Sequence, residues 1–220
     1  MKPEYSILST KTLSITQKEL LLNAYIGFVE YDAIEIELLE VTLYPEIKNV
    51  IFTSKNAVKA IQDSKSEIRS CFCVGEKTKK LLEANRYNVV EVAQNASELA
   101  NIIVKKYKKE QFLFLCGNHR RDELPLVLKE NGVQFEEILV YKTYKNPKKF
   151  NRSFDGVFFF SPSGVESYCT HNSMESSVAF CIGNTTASEV KKYTNNIIVA
   201  NKPTVENVIV QAVKYFDKRI

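Results

Sequence analysis

Phe159-Phe160-Ser161-Pro162-Ser163-Gly164-Val165 decides how this chain is read, because a related stretch, Phe52-Thr53-Ser54-Lys55-Asn56-Ala57-Val58, stands 107 positions earlier. Both pass from an apolar, strand-like segment through a hydroxyl residue into the start of a helical pattern. Two further pairs keep the same order. Val74-Gly75-Glu76-Lys77-Thr78 matches Ile182-Gly183-Asn184-Thr185-Thr186 at an offset of 108, and Asn95-Ala96-Ser97-Glu98 matches Lys202-Pro203-Thr204-Val205 at 107. Ordered matches at nearly one offset predict two similarly built halves.

Working outward, short β-branched and aromatic runs alternate with amphipathic stretches. The strand candidates are Tyr5–Ser9, Asn49–Thr53, Cys71–Val74, Asn88–Val92, Phe112–Cys116, Gly156–Phe160, Val178–Ile182 and Ile197–Ala200. Glu76–Asn85, Ser97–Tyr107 and Leu124–Asn131 carry helical patterns. Such alternation predicts parallel sheets covered by helices on both faces. Thr16–Glu19, Ser163–Glu166 and Thr186–Glu189 have the spacing of capping boxes, a hydroxyl followed three residues later by Glu. Asp122 is placed to cap the helix that ends at Asn131-Gly132.

Two segments fit neither half. Ala33–Val41 is rich in Glu, Glu137–Tyr144 is rich in Tyr and carries Lys142, and both alternate as strands do. They are expected to pair as a two-stranded antiparallel β-ladder joining two parallel-sheet α/β domains. The first domain is then discontinuous, 1–33 plus 148–220, the second is 42–137, and the linker strands are 34–41 and 138–147. Such a tether implies a hinge and a cleft.

The composition narrows the chemistry. Thirty basic and 26 acidic residues leave a net charge of +4, too small an excess to predict nucleic-acid binding. No stretch approaches the roughly 20 apolar residues that a membrane crossing needs. The N-terminus lacks the long apolar region of a signal peptide, which predicts a cytoplasmic protein. The five cysteines, Cys71, Cys73, Cys116, Cys169 and Cys181, form no CxxC pair and read as core thiols. His119 and His171 are the only histidines and neither has ligand spacing to another candidate, so no metal is expected. Only seven glycines are present, none arranged as GxGxxG or GxxxxGK[ST], so nucleotide cofactors are not expected.

The repeated hydroxyl residues follow strands and precede helices. Open parallel sheets bind ligands at that edge, where helix N-termini hold anions well. Each hydroxyl also suits a purely structural N-cap, and the residues alone leave both readings open.

The stretches FTSKNAV, VGEKT, FFSPSGV, CIGNTTASEV, KPTVENVI and ILVYKTY, taken in order, resemble the uroporphyrinogen-III synthase family over about Ile7 to Val213. That resemblance implies two domains joined by a β-ladder and a cofactor-free lyase. Its substrate would be hydroxymethylbilane, a linear tetrapyrrole, cyclised to uroporphyrinogen III with loss of water and inversion of ring D through a spiro intermediate. Tyr141 matches the tyrosine of the family's VYxT motif and would assist hydroxyl departure. Ser54, Thr78, Ser97, Ser161, Ser163, Thr185, Thr186 and Thr204 would bind substrate carboxylates. Lys11 stands where the family often has Arg, keeping the charge without the bidentate fork. Lys55 and Arg120 or Arg121 would add cationic contacts. The resemblance gives His119 no role. The expected state is a monomer, with hydroxymethylbilane synthase as a transient partner. A non-catalytic two-lobed binding protein for an anionic small molecule is the alternative.

Overall fold

The computed structural model describes residues 3–217, and the chain divides into two compact units. One comprises 1–35 with 144–220 and the other 36–143. In chain order the elements begin with β1 (Tyr5–Ser9), α1 (Ile15–Asn23), β2 (Ile26–Glu30), β3 (Ile34–Leu38) and β4 (Glu46–Phe52). Next come α2 (Lys55–Ala60), β5 (Glu67–Val74), α3 (Glu76–Ala84), β6 (Val89–Ala93) and α4 (Ala96–Lys106). They are followed by β7 (Gln111–Gly117), α5 (Glu123–Glu130), β8 (Gln134–Lys145), β9 (Gly156–Phe159) and α6 (Pro162–Cys169). The chain closes with β10 (Val178–Cys181), α7 (Asn184–Val190), β11 (Ile197–Val199) and α8 (Val205–Phe216).

The first unit holds a five-stranded sheet in the order β11-β10-β9-β1-β2, with every neighbouring pair parallel. Its central strands β9 and β10 read as unbroken apolar runs because both faces are covered. Ile7, Phe158, Val178 and Phe180 point into one core with Leu21 of α1 and Val208, Ile209 and Ala212 of α8. Their neighbours Leu8, Val157, Phe159, Ala179 and Cys181 point into the other, against Val165 and Tyr168 of α6 and Val190 of α7. Each such Val, Leu, Ile or Phe side chain contributes about 1.5–3 kcal/mol on burial.

The second unit holds a six-stranded sheet in the order β3-β8-β7-β4-β5-β6. Alternation again sorts the side chains. Val50, Phe52, Cys71, Cys73, Leu113 and Leu115 meet Ala57 and Val58 of α2 and Leu82 of α3. Ile51, Phe72, Phe112, Phe114 and Cys116 meet Leu99, Ala100 and Ile103 of α4 and Leu124 and Leu128 of α5.

All the strand candidates and the three helical patterns are present, β1 with the bounds expected and the others with shifted ends. One strand, β2, lies where none is expected: it is an edge strand, mostly half-buried, and lacks a long apolar run. The two segments read as linkers are neighbours, β3 beside β8, and both belong to the six-stranded sheet. β8 also begins earlier than the linker reading and pairs parallel with β7 from Gln134 onward.

The repeat survives in the caps. Ser54 and Ser161 cap α2 and α6, Gly75 and Gly183 precede α3 and α7, and Asn95 and Thr204 cap α4 and α8. The third pair therefore stands 109 positions apart, two more than the sequence match. None of the three expected capping boxes forms where the spacing puts it. α1 is capped by Ser14, whose hydroxyl accepts from Gln17 N while the Gln17 side chain accepts from Ser14 N. α6 is capped by Ser161, since Pro162 suits the first helical position and leaves Ser163 inside the helix. α7 starts at Gly183 without a side-chain cap. Asp122 precedes α5 without capping it, because Arg120 takes its carboxylate. Asn131 ends α5, and Gly132 follows with φ +71°, the left-handed position that glycine accepts without strain. Among the described residues no helix is long and apolar enough to cross a membrane.

The caps and the thiols can both be tested in solution. Ser161→Ala loses a cap worth about 1 kcal/mol, whereas Ser163→Ala shifts stability by no more than about 0.5 kcal/mol; urea denaturation of both variants separates them. All five thiols are free. Burial pushes Cys71, Cys169 and Cys181 up to about 12 and Cys73 up to about 11. These four are expected to resist thiol reagents at pH 8 until the protein is unfolded. Above about pH 9 the unfolded chain loses thiol protons that the folded chain keeps, so this contribution to stability falls with rising pH. Denaturation midpoints at pH 8 and 10 measure it.

Candidate active site

In a parallel sheet the chain leaves each strand's carboxyl end for a covering helix, so polar groups collect along that edge. In the first unit, the strands leading to α1 and α6 lie side by side, β1 against β9, while their helices continue in opposite directions across the sheet. Thr10 sits at this switch point, buried, with its backbone N–H and hydroxyl both donating to Phe158 O, at 3.2 and 2.6 Å. Lys11 follows it and is exposed. Ser161 and Ser163 follow β9, Thr185 and Thr186 follow β10, and Thr204 follows β11. Ser161 and Thr204 accept from Gly164 N and Asn207 N. Thr186 is buried in the first turn of α7, and Thr185 beside it is exposed.

In the second unit the corresponding switch lies between β4 and β7. Ser54 caps α2 by accepting from Asn56 N, and Lys55 is exposed in the first turn. Thr78 is buried in the first turn of α3. Ser97 is exposed at the start of α4, its hydroxyl 3.5 Å from the Glu123 carboxylate. Tyr141 belongs to this unit too. The candidates thus fall into two sets: Lys11, Ser161, Ser163, Thr185, Thr186 and Thr204 in one unit, and Tyr141, Ser54, Lys55, Thr78, Ser97 and Arg120 in the other.

Tyr141 is presented by an irregularity in the β7–β8 pairing. Cys116 stands opposite Leu139, but Gly117 stands opposite Tyr141, so one residue of β8, Val140, is left over as a bulge. Across a regular strand, Val140 and Tyr141 would face opposite sides. Here both pack on the same core, with Ile138. The Tyr141 ring lies over Gly117: a Cβ built there would meet the ring's Cζ, Cε2 and Oη at 2.3, 2.4 and 2.8 Å.

The loop after β7 is fastened to β8 on either side of Tyr141. Asn118 Nδ2 donates to Thr143 O at 3.2 Å, and Thr143 N donates to Asn118 Oδ1 at 2.8 Å. Arg120 engages the Glu137 carboxylate through Nε and, at 3.1 Å, through Nη2, while its Nη1 meets Asp122. Arg120 is therefore held in a network of carboxylates within its own unit. Burial and then the Glu137 carboxylate push the Cys116 thiol up. His119 and Arg121 are exposed in this loop.

Three residues of this edge escape the sequence reading: Thr10, Gly117 and Asn118. Thr10 obeys the rule of a hydroxyl directly after a strand, and that rule, applied to β1, finds it. Gly117 and Asn118 depend on the β7–β8 register, which no local pattern reveals. A cleft of about 350 Å³ opens elsewhere, among Phe150, Arg152, Tyr168, His171, Asn172 and Ser177. It lies at the amino-terminal edge of the first unit's sheet, and none of the expected site residues line it.

Comparison with known proteins places this arrangement. A family model described as HEM4, uroporphyrinogen-III synthase HemD, matches residues 24–209. The porphyrin biosynthesis protein HemD of Ruminiclostridium josui is 31% identical over 113 residues, 46% of this chain and 22% of that protein. The uroporphyrinogen-III synthase of Saccharomyces cerevisiae is 27% identical over 154 residues, 54% of this chain and 56% of that protein. The matched stretches thus span 22% and 56% of these relatives' lengths. Among solved structures, uroporphyrinogen-III synthetase from Helicobacter pylori superposes with a TM-score of 0.74 at 20% identity, over 96% of this chain and 99% of that one. A mutant uroporphyrinogen III synthase from Thermus thermophilus gives 0.62 at 12% identity, over 96% and 98%. At such identities the structures speak for the fold. The family match reaches further, running through both units and across β7, β8 and the repeated caps, and by it the chain belongs to the uroporphyrinogen-III synthase family.

Proposed function

We propose that this protein is a lyase that converts hydroxymethylbilane to uroporphyrinogen III, releasing water and inverting ring D. The observation that carries this reading is the family match over 24–209, which includes Tyr141 in its VYxT context. The fold supports it by supplying helix N-termini and hydroxyls in both units.

The substrate brings most of the reactivity. Its ring A carries a hydroxymethyl group that the adjoining pyrrole nitrogen expels as water, leaving an electrophilic azafulvene. Attack from the substituted carbon of ring D gives a spiro intermediate and then the type III isomer. Attack from the free carbon gives type I, which forms without an enzyme. The protein's task is to favour one attack, which is catalysis by proximity and orientation.

The Tyr141 hydroxyl donates a hydrogen bond to the departing hydroxyl group and eases its loss as water. Ser54, Thr78, Ser97, Ser161, Ser163, Thr185, Thr186 and Thr204 hold carboxylates, together with backbone N–H groups at the helix starts. Lys11 and Lys55 add positive charge at that edge. Arg120 serves mainly to hold Glu137 and the loop beneath Tyr141, because its guanidinium is already paired.

Product isomer analysis tests the reading. Hydroxymethylbilane generated in situ by its synthase is expected to yield predominantly type III when this protein is present. Type I alone, at the spontaneous rate and with folded protein, overturns the reading. Tyr141→Phe is expected to slow type III formation roughly 100-fold with the ring still packed. Single-turnover rates measure it.

A further inference from the structure

We infer that Gly117 is a positioning residue for Tyr141: its missing side chain is the space in which the phenol ring rests. The inference deepens the proposed function and rests on the role given there to Tyr141.

The geometry is specific. Gly117 ends β7, and the alternation along that strand sends Leu115 into the core beneath α2 and α3 and Cys116 to the opposite face. The side chain of residue 117 would return to the face of Leu115. Tyr141 packs on that same face, brought there by the Val140 bulge. A methyl group at 117 would lie 2.3–2.8 Å from Cζ, Cε2 and Oη, the outer end of the ring that carries the hydroxyl.

What such a methyl group would displace matters. Nothing else ranks among its three nearest atoms. The strand itself is fixed by the pairing of β7 with β4 and β8. The movable partner is the outer end of a side chain, which swings about two torsions. An alanine is therefore expected to be accommodated by moving the phenol, leaving the sheet in place. The β8 backbone cannot follow readily, because Asn118 holds Thr143 by two hydrogen bonds and Arg120 holds Glu137. The phenol that swings aside leaves the place it holds over Gly117 between those two fastenings, and a misplacement of about 1 Å at a reacting group costs up to roughly 100-fold in rate.

Gly117→Ala tests this in three ways. In protein labelled with 13C at the tyrosine ζ carbon, Tyr141→Phe identifies the Tyr141 resonance by removing it, and Gly117→Ala is expected to shift that resonance. The rate of type III formation is expected to fall about 10- to 100-fold in Gly117→Ala, and Gly117→Ala is expected to add nothing once Tyr141 is Phe. An unmoved resonance overturns the inference. So does an equal loss of rate from Gly117→Ala in the Tyr and the Phe backgrounds. If Gly117→Ala proves too unstable to assay, Tyr141→Ala removes the ring, and the double variant is expected to regain the denaturation midpoint of Tyr141→Ala alone. A double variant as unstable as Gly117→Ala overturns the inference. A wild-type protein that makes no type III sinks the functional reading alone, and the resonance and the stability cycle then still decide whether Gly117 seats the ring.

Discussion

Parallel pairing is the constraint on which both units depend. Two parallel strands cannot be joined by a tight turn, so each crossover must climb over a face of the sheet, here through a helix. Helices on both faces bury both sides of the strands. That is why Val157-Phe158-Phe159 and Phe112-Leu113-Phe114-Leu115 carry no polar residue. With both faces of these strands packed against helices, the hydroxyls that could meet a ligand stand where the strands end and the helices begin. Ser54, Ser161 and Thr204 occupy such places, and each already satisfies a helix N–H. Capping and ligand binding are not exclusive there, because a hydroxyl oxygen that accepts from the backbone still has a proton to donate.

Tyr141 comes to its position by a departure from that regularity. β8 is joined to β7 in parallel register until Leu139, and the unmatched Val140 then turns Tyr141 onto the face of its predecessor. Bulges re-aim side chains in this way. The cost is a ladder that no longer continues in register past Gly117. The Asn118 side chain restores two hydrogen bonds to Thr143, standing in for a backbone partner.

How much of this was legible depends on the range of the interactions involved. The central strands could be read because burial on both faces imposes unbroken apolar runs. β2 could not: it is an edge strand, and four of its five residues are only half-buried. Helices α3, α4 and α5 showed in their periodicity, whereas caps depend on neighbours that a spacing rule ignores. At α6 a proline outweighs a capping-box spacing, and at α5 a neighbouring arginine claims the capping carboxylate. Register between strands is a tertiary property, so the bulge, the seat at Gly117 and the Asn118 fastening had no local signature. Tyr141 was singled out by family resemblance and not by its spacing or surroundings.

The internal repeat gains a physical meaning from the sheet orders. Each repeated module begins with the strand at its unit's switch point, β4 beside β7 and β9 beside β1. In the second unit the module comes first and β7-α5-β8 is added after it. In the first unit β1-α1-β2 precedes it. The additions differ in order, so the two sheets differ in strand sequence, yet both put the first strand of the module next to a strand whose helix departs the other way. A switch point is where two crossovers diverge and leave the strand ends uncovered. Phe52-Thr53-Ser54 and Phe159-Phe160-Ser161 resemble each other most because they answer the same two demands there: a strand buried on both faces, and a hydroxyl at an open helix start. The later pairs lie toward the sheet edges, where loops lengthen freely, and there the offset drifts to 108 and then 109.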